Sequence, residues 1–313
     1  MKKLFSIIIP TYKGSKTIVD LINELKKTLT KLNYEIVVVN DASPDDSHNK
    51  LIEIQKQNRN IITYIKLSKN FGEYNAVMAG LNNCKGDFAI IIDDDFQHHP
   101  NEVAKLAHHH INSDKDVIFT KFIKKKHSIF RNLMSKISNF TAKQILNLSY
   151  DIYLSSFKSI RRNIINIITQ YKGDYAFIDG LILSSTEKIE TIEVNHYERV
   201  RGRSTYTFFK LANHYLNLLT NFSILPLRIF FLFGLLAAII SFTFLIYIVI
   251  EKFINPQIPI GYSSLIGLLI FFSSIQILFL GLVGEYIGKI LKLVNKDHQY
   301  VIDLIIPNQN SQK

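Results

Sequence analysis

Three consecutive aspartates, Asp93-Asp94-Asp95, with Phe96-Gln97 after them, follow directly on the apolar run Phe88–Ile92. Carboxylates at i and i+2 at a strand end can share a divalent cation, a hard ion that takes oxygen ligands and commonly keeps substrate phosphates in its shell. Adjacent acids repel one another unless something neutralises them, which argues for a bound cation. An ordinary acidic turn is the plain alternative. The histidine groups His98-His99 and His108-His109-His110 have neither an HExxH spacing nor cysteine partners to support zinc, and they read as surface residues. The single cysteine, Cys84, rules out a disulfide framework and reads as a small core residue.

The elements that must position this chemistry alternate along residues 1–120. Strand-like runs occur at Phe5–Pro10, Glu35–Asn40, Ile61–Leu67 and Phe88–Ile92. Between them lie helical patterns at Thr17–Leu32 (Ile18, Leu21, Ile22, Leu25, Leu29), at about 48–58 and at about 74–82. Such alternation predicts an α/β fold with a doubly wound, mostly parallel sheet. Ligands bind beyond the carboxyl ends of the strands in such sheets. The polar clusters Thr11-Tyr12, Asn40-Asp41 and Asp93-Asp94-Asp95 fall at those ends. The apolar run Leu4–Ile9 is too short for a signal peptide and stops at Pro10, so the N-terminal domain (residues 1–222) is expected to stay cytoplasmic.

The remainder of the chain has another character. Its 313 residues carry a net charge of +11 and 47% hydrophobic residues, with the apolar ones unevenly spread. Ile229–Ile250 and Ile260–Gly284 contain no charged residue, and each reaches the roughly 20 residues that cross a bilayer. A two-helix transmembrane hairpin over 223–288 follows, because backbone amides in lipid must be paired within the segment. Arg228, Lys289, Lys292 and Lys296 flank the spans while the connecting loop holds only Lys252. Positive-inside bias therefore places both termini, including the tail 289–313, in the cytoplasm, and makes the protein multi-pass in the cytoplasmic (inner) membrane. Between about 122 and 172, lysines and arginines interleave with apolar residues, as in amphipathic interfacial helices on an anionic membrane; packing on the soluble core is the alternative. No nucleic-acid fold signature is present. Gly267, Gly281 and Gly284 would allow close helix packing in a homo-oligomer.

Several words occur in a fixed order: Ile7-Ile8-Ile9-Pro10-Thr11-Tyr12, Val38-Val39-Asn40-Asp41-Ala42-Ser43, Leu67-Ser68-Lys69-Asn70-Phe71-Gly72, and Gly86-Asp87-Phe88 leading to the aspartates. They resemble family 2 glycosyltransferases with a GT-A nucleotide-sugar fold. His196-Tyr197-Glu198-Arg199, Gly202-Arg203-Ser204-Thr205-Tyr206, Pro226-Leu227-Arg228, the two spans and Gly284-Glu285-Tyr286-Ile287-Gly288 are similar to its polyprenyl-phosphate branch, which includes dolichol-phosphate mannose synthase and bacterial undecaprenyl-phosphate sugar transferases.

The resemblance implies roles. Pro10, Thr11, Tyr12, Asp41, Ser43, Lys69, Asn70 and Asp94 would line the nucleotide-sugar pocket, with Asp41 accepting from the base. Asp93 and Asp95 would hold Mg²⁺ or Mn²⁺ against the donor diphosphate, with Gln97 beside the sugar or the metal shell. Arg199, Arg201, Ser204 and Tyr206 match the stretch that closes over the diphosphate and the acceptor phosphate. Lys126, Arg131 and Ser135 are candidates for holding the acceptor head group, and Asp179 for a base or a sugar-orienting group, a structural aspartate at a helix start being the alternative. The pattern also departs from the family's: Lys13-Gly14 stand where Asn-Glu are usual, Glu73 where Gln or Lys is common, and Lys158 where Arg is usual.

The implied reaction is inverting transfer of one sugar from a nucleotide donor to polyprenyl phosphate. Negative charge grows on the leaving diphosphate, where a cation and arginines act electrostatically. The rival from another class is a catalytically silent, membrane-anchored nucleotide-sugar-binding or scaffold subunit. A processive polysaccharide synthase is disfavoured, because Gln-x-x-Arg-Trp is missing and the chain has no tryptophan.

Overall fold

A computed structural model describes residues 3–122, 154–173, 176–195, 261–294 and 298–309, together with helical positions between 232 and 254. The chain divides into two compact units. One comprises Met1–Phe208 with Lys296–Lys313, and the other Phe209–Asn295.

The first unit contains strands β1 (Leu4–Thr11), β2 (Asn33–Asn40), β3 (Ile62–Leu67), β4 (Phe88–Ile91), β5 (Val117–Phe122), β6 (Lys158–Arg161), β7 (Ile189–Val194) and β8 (Ile302–Ile306). Helices α1 (Ile18–Thr28), α2 (Ser47–Gln57), α3 (Glu73–Asn83) and α4 (Pro100–Asn112) connect the early strands, with α5 (Arg162–Ile168) and α6 (Ile178–Ser185) further on. The strands form one sheet in the order β7-β5-β6-β4-β1-β2-β3-β8. Strand β1 is parallel to both β2 and β4, β2 to β3 and β5 to β7, whereas β6 and β8 run antiparallel to their neighbours.

Alternate strand residues feed two cores. Phe5, Ile7, Ile9, Ile36 and Val38 pack with α1, α2 and α4 on one face. Ile8, Val37, Val39, Ala89 and Ile91 pack with α3, α5 and α6 on the other. Burial on both faces is why these strands read as continuous apolar runs. Cys84 is buried in the second core, as its residue type suggests.

Two expectations change. The interfacial helices expected over about 122–172 do not extend to the end of that range. Residues 158–161 form β6, paired between β4 and β5, and Ile164, Ile165 and Ile168 of α5 are buried in the core. Short apolar runs fit either a strand or a helix, and here sheet pairing decided. Residues 123–153, with Lys126, Arg131 and Ser135, lie outside the described residues, as do 196–231 with Arg199, Arg201, Ser204 and Tyr206. The stretch 289–313 is more than a tail: β8 adds antiparallel to β3, and Asn308 beyond it reaches Glu35 Oε2 at 3.0 Å and donates its N–H to Thr63 Oγ1 at 3.2 Å.

In the second unit α7 (Tyr262–Val294) runs for 33 residues. At about 1.5 Å per residue it is about 50 Å long, against a hydrocarbon core of about 30 Å. Its segment Phe271–Gly288, of mean hydropathy 1.5, makes it the one helix among the described residues that is long and apolar enough to cross a membrane. Phe271, Ile277, Leu278 and Leu280 are exposed along it. The first expected span, 229–250, is helical at every described position.

Candidate active site

The polar clusters meet where β1, β2 and β4 end. Strand β4 stops at Ile91, opposite Ile8, so β1 has only β2 beside it at Pro10. A proline with no N–H is tolerated at such a point. Tyr12 just beyond β1 is 47% exposed, with the Lys13 ammonium 5.3 Å from its ring centroid. An accessible aromatic face at this position suits stacking on a nucleobase.

The backbone is strained here. The non-glycine residues with positive φ among the described residues are Lys13 (63°), Ala42 (50°) and Phe96 (64°), one after each of β1, β2 and β4. Conformations of this kind cost on the order of 1–3 kcal/mol each and cluster at functional sites. Lys13 N–H donates to Ser43 Oγ at 3.1 Å, tying the first two turns together.

Asp41 is buried, and its carboxylate accepts from Phe71 N–H at 2.7 Å and from Gly72 N–H at 2.9 Å. Burial raises its pKa, with the two amides acting in the opposite direction. Asp41 thus anchors the Lys69–Gly72 loop to β2, and any ligand contact uses its remaining lone pairs. Gly72 lies at φ 89° at the head of α3, a conformation that suits glycine. Lys69 and Asn70 are exposed on this loop.

Each of the three aspartates has its own holder. Ser156 Oγ donates to Asp93 Oδ2 at 2.8 Å, Thr11 Oγ1 donates to Asp94 Oδ2, and Gln97 N–H donates to Asp95 Oδ1 at 3.0 Å. Burial and the Asp93 and Asp95 carboxylates push Asp94 up to about 6 despite the Thr11 hydrogen bond. A divalent cation would reverse that repulsion. No group of three or more His, Cys, Asp or Glu poised on a metal occurs among the described residues. One or two carboxylates, completed by diphosphate oxygens, are nevertheless what Mg²⁺ usually takes, so these residues fit such an ion. The closeness also explains Gly14. A Cβ there would lie 2.2 Å from both Asp94 Oδ2 and Thr11 Oγ1.

The histidines correct the surface reading. His98 is only 2% exposed; its ring stacks on Phe157 with centroids 4.8 Å apart, and Nδ1 accepts from Asp93 N–H at 3.3 Å. His110 is fully buried between Ser159 Oγ (2.6 Å) and Lys115 O (3.1 Å). Helical spacing puts His110 on the inward face of α4, beside Leu106 and Ala107, whereas His108 and His109 stay exposed.

Ser156 also lines a pocket of about 140 Å³ next to Asp93. Lys158 and Asp179 form a buried ion pair in its wall, and Glu73 of α3 lines it too. Enclosure by the pocket walls and the nearby Asp93 push the Glu73 carboxyl upward, while Lys158 pulls it down; solvent still reaches the side chain. The contact of Ser156 with Asp93 and the meeting of Glu73 with Lys158 escaped the sequence reading, because β6 reaches β4 only through an antiparallel crossover.

The description "Glycosyl transferase family 2" matches residues 6–168, just over half the chain, and "GtrB C-terminal hairpin" matches 225–290. The chain belongs to glycosyl transferase family 2. It is a glycosyltransferase with a GT-A-type α/β sheet, similar along nearly its whole length to polyprenyl-phosphate sugar transferases. The undecaprenyl-phosphate 4-deoxy-4-formamido-L-arabinose transferase of Photorhabdus laumondii is 32% identical over 97% of this chain and 94% of that protein. The protein of the same name from Proteus mirabilis is 31% identical over 98% and 97%. Among solved structures, glucosyl-3-phosphoglycerate synthase from Mycobacterium tuberculosis, in complex with Mn²⁺, UDP and phosphoglyceric acid, aligns with a TM-score of 0.51. It is 15% identical and covers 70% of this chain and 76% of that one. This last likeness is one of fold.

Proposed function

We propose that this glycosyltransferase moves one sugar, with inversion, from a nucleotide donor to undecaprenyl phosphate or a similar polyprenyl phosphate at the cytoplasmic membrane face. The observation that carries the reading is the combination of the acidic turn beyond β4 and a membrane-length apolar helix in one chain, matched end to end by relatives of that name. Those relatives' sugar makes a modified pentose or an amino or deoxy sugar the first donor to try.

Tyr12 would stack on the base, and Asp41 would keep the Lys69–Gly72 loop against it. Asp93 and Asp95 would hold Mg²⁺ or Mn²⁺, which supplies Lewis-acid stabilisation of charge on the departing diphosphate. A lipid phosphomonoester, whose second pKa is about 6, is mostly dianionic at neutral pH and needs little help from a base. Asp179, already paired with Lys158, suits orienting the sugar better than removing a proton.

Topology supports the membrane reading. Lys296–Lys313 and Met1–Phe208 belong to one compact unit, and β8 is a strand of its sheet. A chain that leaves and rejoins the same folded unit crosses a bilayer an even number of times. With α7 as one crossing, the run 229–250 is the natural second.

The test uses detergent-solubilised full-length protein, Mn²⁺, undecaprenyl phosphate and a panel of UDP-, GDP- and dTDP-linked sugars, including 4-deoxy-4-formamido-L-arabinose. Lipid-dependent release of nucleoside diphosphate from one donor is expected. Release without lipid dependence would discard the acceptor, and the absence of both turnover and metal-dependent nucleotide binding would favour the silent scaffold.

A further inference from the structure

Glu73 and Lys158 are distant in sequence, yet both line the pocket beside Asp93. The pocket's lining includes the Lys158–Asp179 pair, 3% and 6% exposed, with the Lys158 ammonium 5.3 Å from the Phe119 ring centroid. A buried ion pair with a ring against it is a fixed wall, because moving either charge would strand the other. Glu73 is the exposed member, in the first turn of α3. The pair is neutral, so above its own upward-shifted pKa an ionised Glu73 leaves the lining one negative charge in excess, and Asp93 adjoins it through Ser156. An ionised carboxylate only accepts hydrogen bonds.

We infer that Glu73 is a specificity-determining residue, which accepts a hydrogen bond from an O–H or N–H of the transferred sugar and repels sugars that carry a carboxylate. The inference rests on the transferase reading above, since that reading brings the donor sugar to Asp93. Selection then works by exclusion as well as attraction. A hydroxymethyl or amide substituent satisfies the carboxylate, whereas a uronate places like charges together in an enclosed site.

The test measures binding by calorimetry on the full-length protein in detergent with Mn²⁺. UDP, GDP and dTDP are titrated first, and the one that binds sets the base for two sugar donors, one ending in a hydroxymethyl group and the other in a carboxylate (UDP-glucose and UDP-glucuronate in the uridine case). At pH 9, where even the upward-shifted Glu73 carboxyl is ionised, the native protein is expected to favour the neutral donor by at least about tenfold. With each donor's affinity taken relative to the same protein's affinity for the bare diphosphate, Glu73→Gln should shrink that ratio to within about threefold and Glu73→Lys should reverse it. Diphosphate binding with the same sugar ratio in all three proteins would overturn the role of Glu73 alone. If no nucleoside diphosphate binds the native protein, the transferase reading falls and takes this inference with it.

Discussion

The sheet carries a carboxylate near each end, and the surroundings of the two differ. Glu35, toward the amino end of β2, is 5% exposed. It accepts from Ser6 Oγ at 2.6 Å, Lys85 N–H at 2.6 Å and Asn308 Nδ2 at 3.0 Å. Asp93, beyond the carboxyl end of β4, keeps 26% of its side chain exposed, accepts from Ser156 Oγ and has two acids next in sequence. Saturation with fixed donors makes a buried carboxylate a fastening. Incomplete satisfaction beside like charges, at the end with three positive-φ residues, leaves a carboxylate ready for a cation.

Altering the unsaturated end should have the largest effect. Asp95→Asn is expected to lower turnover at least 100-fold, as removal of groups that stabilise developing charge commonly does. Nucleoside diphosphate release measures it, and sedimentation with membranes should be unchanged. Near-normal turnover would dissolve the contrast. At the other end, Glu35→Ala strands donors from three segments and should cost about 3 kcal/mol. Thermal unfolding of the purified protein would show this, and activity per folded molecule should persist.

His110 sharpens the contrast through pH. Burial holds its pKa down at about 4 against an ordinary 6.5. The unfolded chain therefore takes up the proton first, so the stability from neutral His110 is present above about pH 6.5 and is lost as pH falls toward 4. The loss should reach about 2 kcal/mol at pH 5. Unfolding midpoints at pH 7 and pH 5 should differ more in the native protein than in His110→Gln. The mildest change is Ser156→Ala, which removes the holder of Asp93 without touching charge. A Mn²⁺ titration followed by electron paramagnetic resonance should show about tenfold weaker binding. Unaltered affinity would mean that Asp93 is held by the backbone turn alone.

Local chemistry made much of this molecule legible in sequence. Buried parallel strands need continuous apolar runs, so β1 to β4 fell within a residue or two of their expected bounds. Acidic and turn residues after those runs had to lie at one edge, because parallel strands present the same end. Strand β8 was not legible. Its partner β3 is more than 230 residues away, and a five-residue alternation has no meaning until an edge strand stands beside it.

Amino-acid types and order by themselves determined the α/β alternation, the acidic turn beyond β4 and the uncharged runs long enough for a bilayer, since each depends on neighbours a few residues apart. Tertiary structure alone decided which carboxylates are fastened and which are open. It seated Ser156 on Asp93, paired Lys158 with Asp179 beside Glu73, and drew the chain's last strand back to the first unit's sheet. The reason is that donors, counter-charges and strand partners arrive from distant segments, and only the crossover connections bring them within hydrogen-bonding reach.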